Sequence, residues 1–474
     1  MNKIGKLISV FMVVLLLAFA FYGSGREMKT LTQTSTGASW LNRSNSITIW
    51  YTDERLSAYI SKAAVEFGER ENVTVIPVLK SADNFIENCY AASIEGESYP
   101  DAIITGSETL EKAYFSGMAC EIVDEDMQIG PLNFSDAAVN AVTYQGMKLG
   151  YPLGFDTCVL AYNRTYLEQW ASLMAIADLT GNAIETGGGE SESEETGDSG
   201  LTVDDIDPAE LEALTSEYIQ KTVPYTLEDL LTIANSYSVP EGVEGILSWD
   251  MSSIMYNYWL VGGAFSAGGE CGDDRHDFSI NNETAVECLT KYQNLHDYFS
   301  IESNEVTYDS AIQQFIEGKT VFTIGGYDLV SRLKEASEDG SFAYEYGFSE
   351  MPNVTSDIPS RSLAITSVVC INSYSSKKDL AEKFALCLTR EETDVFTDLT
   401  GMACCARTFG WEGGANQIYA LEYNGSVSLP KMMETENYWM QVEAMFARIW
   451  EGEDVKTELE MLDESLNSIM NNSV

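Results

Sequence analysis

Gly150-Tyr151-Pro152-Leu153-Gly154-Phe155-Asp156-Thr157-Cys158-Val159-Leu160-Ala161-Tyr162-Asn163 is the stretch whose reading decides the fold. Its length, and its mixture of apolar, glycine and polar positions, suit a strand that leaves one domain and enters another. On its N-terminal side lies a regular alternation. Ile47-Thr48-Ile49-Trp50-Tyr51 is a β-rich run, and Thr52 or Asp53 can cap a helix carrying Leu56, Tyr59, Ile60, Ala63, Ala64 and Phe67 at three- and four-residue steps. A second strand at Val73–Leu79, a helix around Asn84–Ile94 and a third strand at Asp101–Ile104 follow. This order predicts an α/β sheet covered by helices on both faces. Residues just past such strands, Trp50 to Asp53 and Gly106 to Glu108, line the crevice in which ligands are held.

On the C-terminal side a second α/β unit is expected. It has helices at Thr226–Tyr237, Met251–Leu260, Thr284–His296 and Tyr308–Ile316, then a strand at Thr320–Ile324 running into Gly325-Gly326-Tyr327. A further strand at Ala364–Ile371 and helices at Asp379–Leu388, Tyr438–Trp450 and Asp454–Met470 complete the pattern. Between Glu185 and Glu212 there are 11 acidic residues and no basic ones, centred on Gly187-Gly188-Gly189-Glu190. Such a segment cannot offset the entropy of folding by burial and is expected to be a flexible surface insertion. Asp204, Asp205 and Asp207 lack the central glycine and terminal glutamate of a calcium loop.

The N-terminal 22 residues combine Lys3 and Lys6 with an apolar run from Leu7 to Tyr22, the layout of an export signal. The run is short for a span of roughly 20 residues. Cleavage near Phe21 and retention as an anchor both stay open, and either puts the body outside the cytoplasmic membrane. Residues 23–45 read as a flexible linker. Lys and Arg number 27 against 74 Asp and Glu, a formal net charge of −47. That field repels nucleic acid and anionic lipid and disfavours an anionic ligand. Nine widely spaced cysteines, an odd number, give no disulfide framework. Most sit in apolar segments as small core residues, and the adjacent Cys404-Cys405 pair is the one redox candidate.

Motifs of catalysis are missing. His276 and His296 have no cysteine or acidic pair at metal-ligand spacing, and there is no nucleophile elbow, phosphate loop or dinucleotide fingerprint. No catalytic residue, metal or cofactor is therefore expected. Paired carboxylates for glycoside chemistry would need a distance that a sequence does not give. Trp50, Tyr51, Phe155, Tyr256, Trp259, Tyr327, Tyr438 and Trp439 stand at the edges of expected elements. Rings so placed can stack on pyranose faces, although each can equally be a core aromatic.

Several segments, in one order, resemble the extracellular solute-binding proteins of ATP-driven importers, in particular the carbohydrate binders typified by maltose/maltodextrin-binding protein. They are Ile47-Thr48-Ile49-Trp50, Tyr99-Pro100-Asp101-Ala102-Ile103-Ile104, Gly117-Met118-Ala119 and Gly150-Tyr151-Pro152 through Tyr162-Asn163. Pro224-Tyr225-Thr226-Leu227-Glu228, Phe315-Ile316-Glu317-Gly318-Lys319 and Lys378-x-x-Ala381-x-x-Phe384 extend the likeness over residues 46 to 470. The resemblance implies a periplasmic-binding-protein-like α/β fold of two lobes joined by crossing hinge strands, near Gly154–Cys158 and Leu363–Val369. The N-terminal lobe would be 46–154 plus 370–425 and the C-terminal lobe 155–369, with helices of 426–474 packing across both. Cleft residues are implied at Asp53, Thr105, Glu108, Asp156, Tyr256, Tyr327, Tyr438 and Trp439, with Trp50 beside them. The implied ligand is a neutral sugar, and the implied partners are the membrane permease subunits of an importer served by a monomer. No tryptophan stands near Thr105, and Tyr327-Asp328 replaces a tryptophan after Gly326. Both departures count against a long α-glucan. A binder of a peptide, polyamine or metal chelate, a ligand sensor and a secreted carbohydrate-active enzyme remain as alternatives.

Overall fold

The computed structural model describes residues 45–96, 98–124, 126–181, 206–237, 240, 242–299, 306–408 and 413–472. The export segment, nearly all of the linker and most of the acidic insertion lie outside the described residues. From the start, β1 (Ser46–Tyr51), α1 (Ser57–Glu71), β2 (Thr74–Leu79), α2 (Phe85–Glu95), β3 (Ala102–Gly106), α3 (Leu110–Phe115), α4 (Asp136–Val142) and β4 (Tyr151–Asp156) build the first lobe. The apolar stripe of α1 is buried as its spacing requires, and the helix ends on Asn72 in the left-handed region, φ 55°. β1 and β3 run parallel with Ile49 beside Ala102.

The second lobe contains β5 (Val159–Asn163), α5 (Arg164–Thr180), α6 (Pro208–Thr222), α7 (Leu227–Ser236), β6 (Gly245–Ser248), α8 (Glu283–Phe299), α9 (Tyr308–Ile316), β7 (Thr320–Gly325), α10 (Asp328–Asp339) and β8 (Tyr346–Ser349). The chain returns through β9 (Leu363–Ile371), α11 (Lys378–Leu386), α12 (Phe396–Thr400), β10 (Ala403–Cys404) and α13 (Gly414–Gly425). It ends with β11 (Val427–Ser428), α14 (Tyr438–Trp450) and α15 (Val455–Asn472). One sheet has the order β10-β4-β9-β3-β1-β2, with β11 paired to β9, and the other has the order β8-β5-β7-β6.

Each sheet has its own core. Ile49, Phe67, Ile103, Leu153 and Phe384 are buried in the first, and Leu160, Trp249, Trp259, Tyr292, Phe322 and Trp450 in the second. Each large apolar side chain so buried contributes roughly 1.5–3 kcal/mol. The lobes meet where β4, β9 and β11 lie close together. Leu363 belongs to the second core and its neighbour Ala364 to the first. Thr157 Oγ1 donates to Leu363 O at 2.8 Å, fastening one crossing to the other.

Four local expectations need correction. Gly150–Asn163 is two strands, broken at Thr157 and Cys158. Met251–Leu260 is no helix but two single turns, Ile254–Tyr256 and Tyr258–Leu260. The cause is the Asn257 amide, which donates to the carbonyls of Asp250, Met251 and Ser253 and holds the loop around itself. The insertion yields to helix at Pro208, where Asp207 accepts from Ala209 N at 3.0 Å and proline occupies the first turn. The two long helices after 426, α14 and α15, pack on the second core through Val442, Phe446, Ile449 and Leu459, and the short turn Met433–Thr435 before them reaches the first lobe, at Glu111.

Candidate functional site

β3 delivers Thr105 and, one turn later, Glu108 to a cavity of about 560 Å³ that both lobes line. Thr105 Oγ1 and Thr109 Oγ1 are 2.8 Å apart, and Thr109 Oγ1 also donates to Gly106 O at 2.9 Å. The Glu108 carboxyl folds back over Gly106, where a Cβ would stand 2.1 Å from Glu108 Oε1, so a larger residue there would have to push that carboxyl aside. Its Oε2 is buried without a hydrogen-bond partner among the described residues, and burial raises its pKa. From the second lobe come Tyr438 and Trp439, at the start of α14. The Tyr438 hydroxyl is 2.9 Å from that of Tyr258, inside the second core, which leaves the half-buried indole of Trp439 as the aromatic face that the second lobe presents, opposite Phe85 of the first.

Asp53 and Asp156 meet across Arg55. Arg55 Nη2 lies 2.7 Å from Asp53 Oδ2 and 2.8 Å from Asp156 Oδ2. Nε also donates to Asp53 at 3.0 Å, and Nη1 to Asp156 Oδ1 at 3.3 Å. Burial alone would lower the arginine pKa, and the two carboxylates more than reverse this, holding it above its ordinary value. The bridge borders the cavity on two sides: Thr52, preceding Asp53, and Ile365, paired with Asp156 in the sheet, both line it.

Three expected residues stand elsewhere. Trp50 is buried in the first core with Lys80 Nζ 3.9 Å from its ring centre. Tyr256 stacks on Tyr308, with ring centres 4.7 Å apart and planes within 4°, and the Tyr308 hydroxyl donates to Asp328 at 2.7 Å. Tyr327 reaches from the second lobe into the first core. There it bonds Asn416 and meets Tyr419 edge-on, and it lines a second cavity, of about 800 Å³. Of the nine candidates, Thr105, Glu108, Tyr438 and Trp439 therefore share the first cavity, and Asp53 and Asp156 flank it.

Sequence reasoning missed Arg55 and a deeper polar cluster. Glu111 Oε1 accepts from Tyr144 at 2.5 Å and from Arg275 of the second lobe at 2.7 Å, while Oε2 accepts from Met433 N at 2.6 Å. Arg275 also pairs with Glu434 at 3.0 Å. Lys431, between the lobes, donates to the carbonyls of Asn140, Thr143 and Cys271 at 2.5–2.8 Å. Its burial lowers its pKa to about 8. The thiols of Cys404 and Cys405 are buried and pushed upward, Cys404 to about 12, as befits core residues. Among the described residues no group of three or more His, Cys, Asp or Glu side chains could hold a metal, and no helix is long and apolar enough to cross a membrane.

A family profile described as bacterial extracellular solute-binding protein matches residues 62–400. The chain belongs to that family. The solute-binding chain is 20% identical over 342 residues to the maltodextrin-binding protein MdxE of Bacillus subtilis (strain 168), a match covering 70% of this chain and 66% of that protein. Among solved structures it is similar to a cyclo/maltodextrin-binding protein complexed with maltotetraose, at TM-score 0.66 and 16% identity over 90% of this chain and 97% of that one. It is also similar to an extracellular solute-binding protein of Staphylococcus aureus in complex with maltose, at TM-score 0.65 and 18% identity over 90% and 98%. These likenesses establish the two-lobed periplasmic-binding-protein-like α/β fold of the solute-binding chain.

Proposed function

We propose that this protein captures a neutral carbohydrate, an oligosaccharide, between its lobes outside the cytoplasmic membrane and delivers it to the permease subunits of an ATP-driven importer. The observation that carries the reading is the cavity of about 560 Å³ lined by an indole from one lobe and by hydroxyl and carboxyl groups from the other. Its size falls within the range of roughly 300–1,000 Å³ usual for small-molecule sites. A pyranose offers an apolar face to Trp439 and hydroxyls to Thr105 and Glu108. With burial favouring its protonated form, Glu108 can donate as well as accept, which suits a hydroxyl. A ligand that touches both walls binds the closed arrangement better than the open one, and that differential affinity drives closure without any covalent step. The named ligands of the relatives, maltodextrin and maltose, support the carbohydrate class.

A thermal-shift panel of mono- and oligosaccharides tests this. A specific sugar present at about 100 times its Kd is expected to stabilise the folded protein by about 2.7 kcal/mol through mass action. If a cationic or peptide solute shifted the transition while every sugar left it in place, the carbohydrate reading would be lost.

A further inference from the structure

We propose that Arg55 sets the charge class of the ligand. As a resident cation between Asp53 and Asp156 it excludes organic cations from the cleft, and it leaves the spare lone pairs of Asp156 to the hydroxyls of a neutral solute. The inference rests on the lobe-closure reading above and narrows its ligand by charge.

Without Arg55, two carboxylates at the cavity edge would form a dianionic clamp suited to a diamine. A surface field from a net charge of −47 would bring such cations to it. The guanidinium prevents this by geometry. Its fork spreads over both carboxylates, with Nη2 shared between Asp53 and Asp156, Nε on Asp53 and Nη1 on Asp156. Of the five N–H groups of an arginine, this leaves one on Nη1 without an acceptor among the described residues, free for a ligand oxygen. Each oxygen of Asp156 likewise accepts only one of these bonds and keeps a lone pair, whereas the Asp53 oxygens are already taken by Arg55 N, Nε and Nη2.

The position of the bridge matters as much as its charge. Thr52 and Ile365 connect it to the first cavity. The turn Glu54–Leu56 packs on α12, whose Thr397 and Asp398 line the second cavity. Arg55 therefore neighbours both spaces through the residues beside it, without itself forming the wall of either. Its side chain is 47% exposed, so it holds both acids while remaining within reach of a ligand.

Calorimetric titration at low salt with maltotetraose and with spermidine, on the unaltered protein, Arg55→Gln and Arg55→Lys, tests the proposal. The unaltered protein and Arg55→Lys are expected to ignore spermidine, and Arg55→Gln to bind it about tenfold tighter or more, in a salt-sensitive way. Unfolding temperatures without ligand should agree within a few degrees, because exposed ion pairs contribute little. Spermidine binding no tighter to Arg55→Gln than to the unaltered protein would overturn the proposal. So would an Arg55→Lys protein that admits spermidine as the glutamine variant does, since charge would then not be the cause. Maltotetraose and the wider sugar panel report separately on the carbohydrate reading, whose failure would leave the spermidine comparison interpretable.

Discussion

Two polar clusters lie where the lobes meet, and they differ in their access to water. Arg55, Asp53 and Asp156 border the cleft, and the arginine side chain is 47% exposed. Glu111 and Lys431 are 0% and 1% exposed, and their partners come from both lobes. The same chemistry therefore has two consequences. At the cleft, water or a hydroxyl can replace any broken contact, so the arrangement can exchange partners with a ligand at little cost. In the interior a broken contact leaves a charge or a polar group with nothing to bond, so the arrangement is fixed with the fold. The contrast teaches that one cluster can exchange partners beside the cleft while the other is fixed with the joint between the lobes, even though Lys431 and Met433 of the second also line the cavity.

The strongest way to break this distinction is to remove Glu111. Its carboxylate is the common acceptor for Tyr144, Arg275 and Met433 N. Glu111→Ala is expected to cost about 3–5 kcal/mol, read by urea unfolding followed through tryptophan fluorescence. A loss below about 1 kcal/mol would make the buried cluster no different from an exposed one.

Next in size is a dependence on pH. Lys431 has a folded-state pKa of about 8 against an ordinary 10.5, because burial disfavours its charge. Between those values the unfolded chain holds a proton that the folded one has released, so stability rises with pH across that window. Lys431→Met removes the group. The unaltered protein is therefore expected to gain roughly 3 kcal/mol relative to the variant between about pH 8 and 10.5. Comparing the two at each pH cancels the tyrosines and cysteines they share. A constant difference would mean that the ammonium keeps its ordinary proton affinity among the three carbonyls.

How much of this was legible in the sequence depends on the distance over which each feature is decided. The stripe Tyr59, Ile60, Ala63, Ala64 and Phe67 fixes its helix locally, and the Gly150–Asn163 segment announces a passage between domains. Thr105, Glu108 and Trp439 follow from their places at the ends of β3 and the start of α14. The Arg55 bridge was hidden because Asp156 is 101 positions away, and Glu111 meets Met433 across 322. Asn257 defeated the helix expected at Met251–Leu260 with bonds that periodicity does not report.

Trp50 exposes a different limit and gives the smallest test. In a sheet covered on both faces, apolar residues occupy both parities of a strand, so alternation cannot say which way one ring points. Ile49 and Trp50 are consecutive and both buried in the first core. The indole stacks under Lys80, and its Nε1 is buried without a hydrogen-bond partner among the described residues. Replacing it with phenylalanine removes that unsatisfied N–H and part of a ring, two opposing effects of similar size. Trp50→Phe is therefore expected to change stability by no more than about 1 kcal/mol. It should leave affinity for the sugar found in the thermal panel within about twofold, since the ring makes no part of the cavity wall. A tenfold loss of affinity, by calorimetry, would place the ring in the recognition surface and move the border between core and cleft one residue inward along β1.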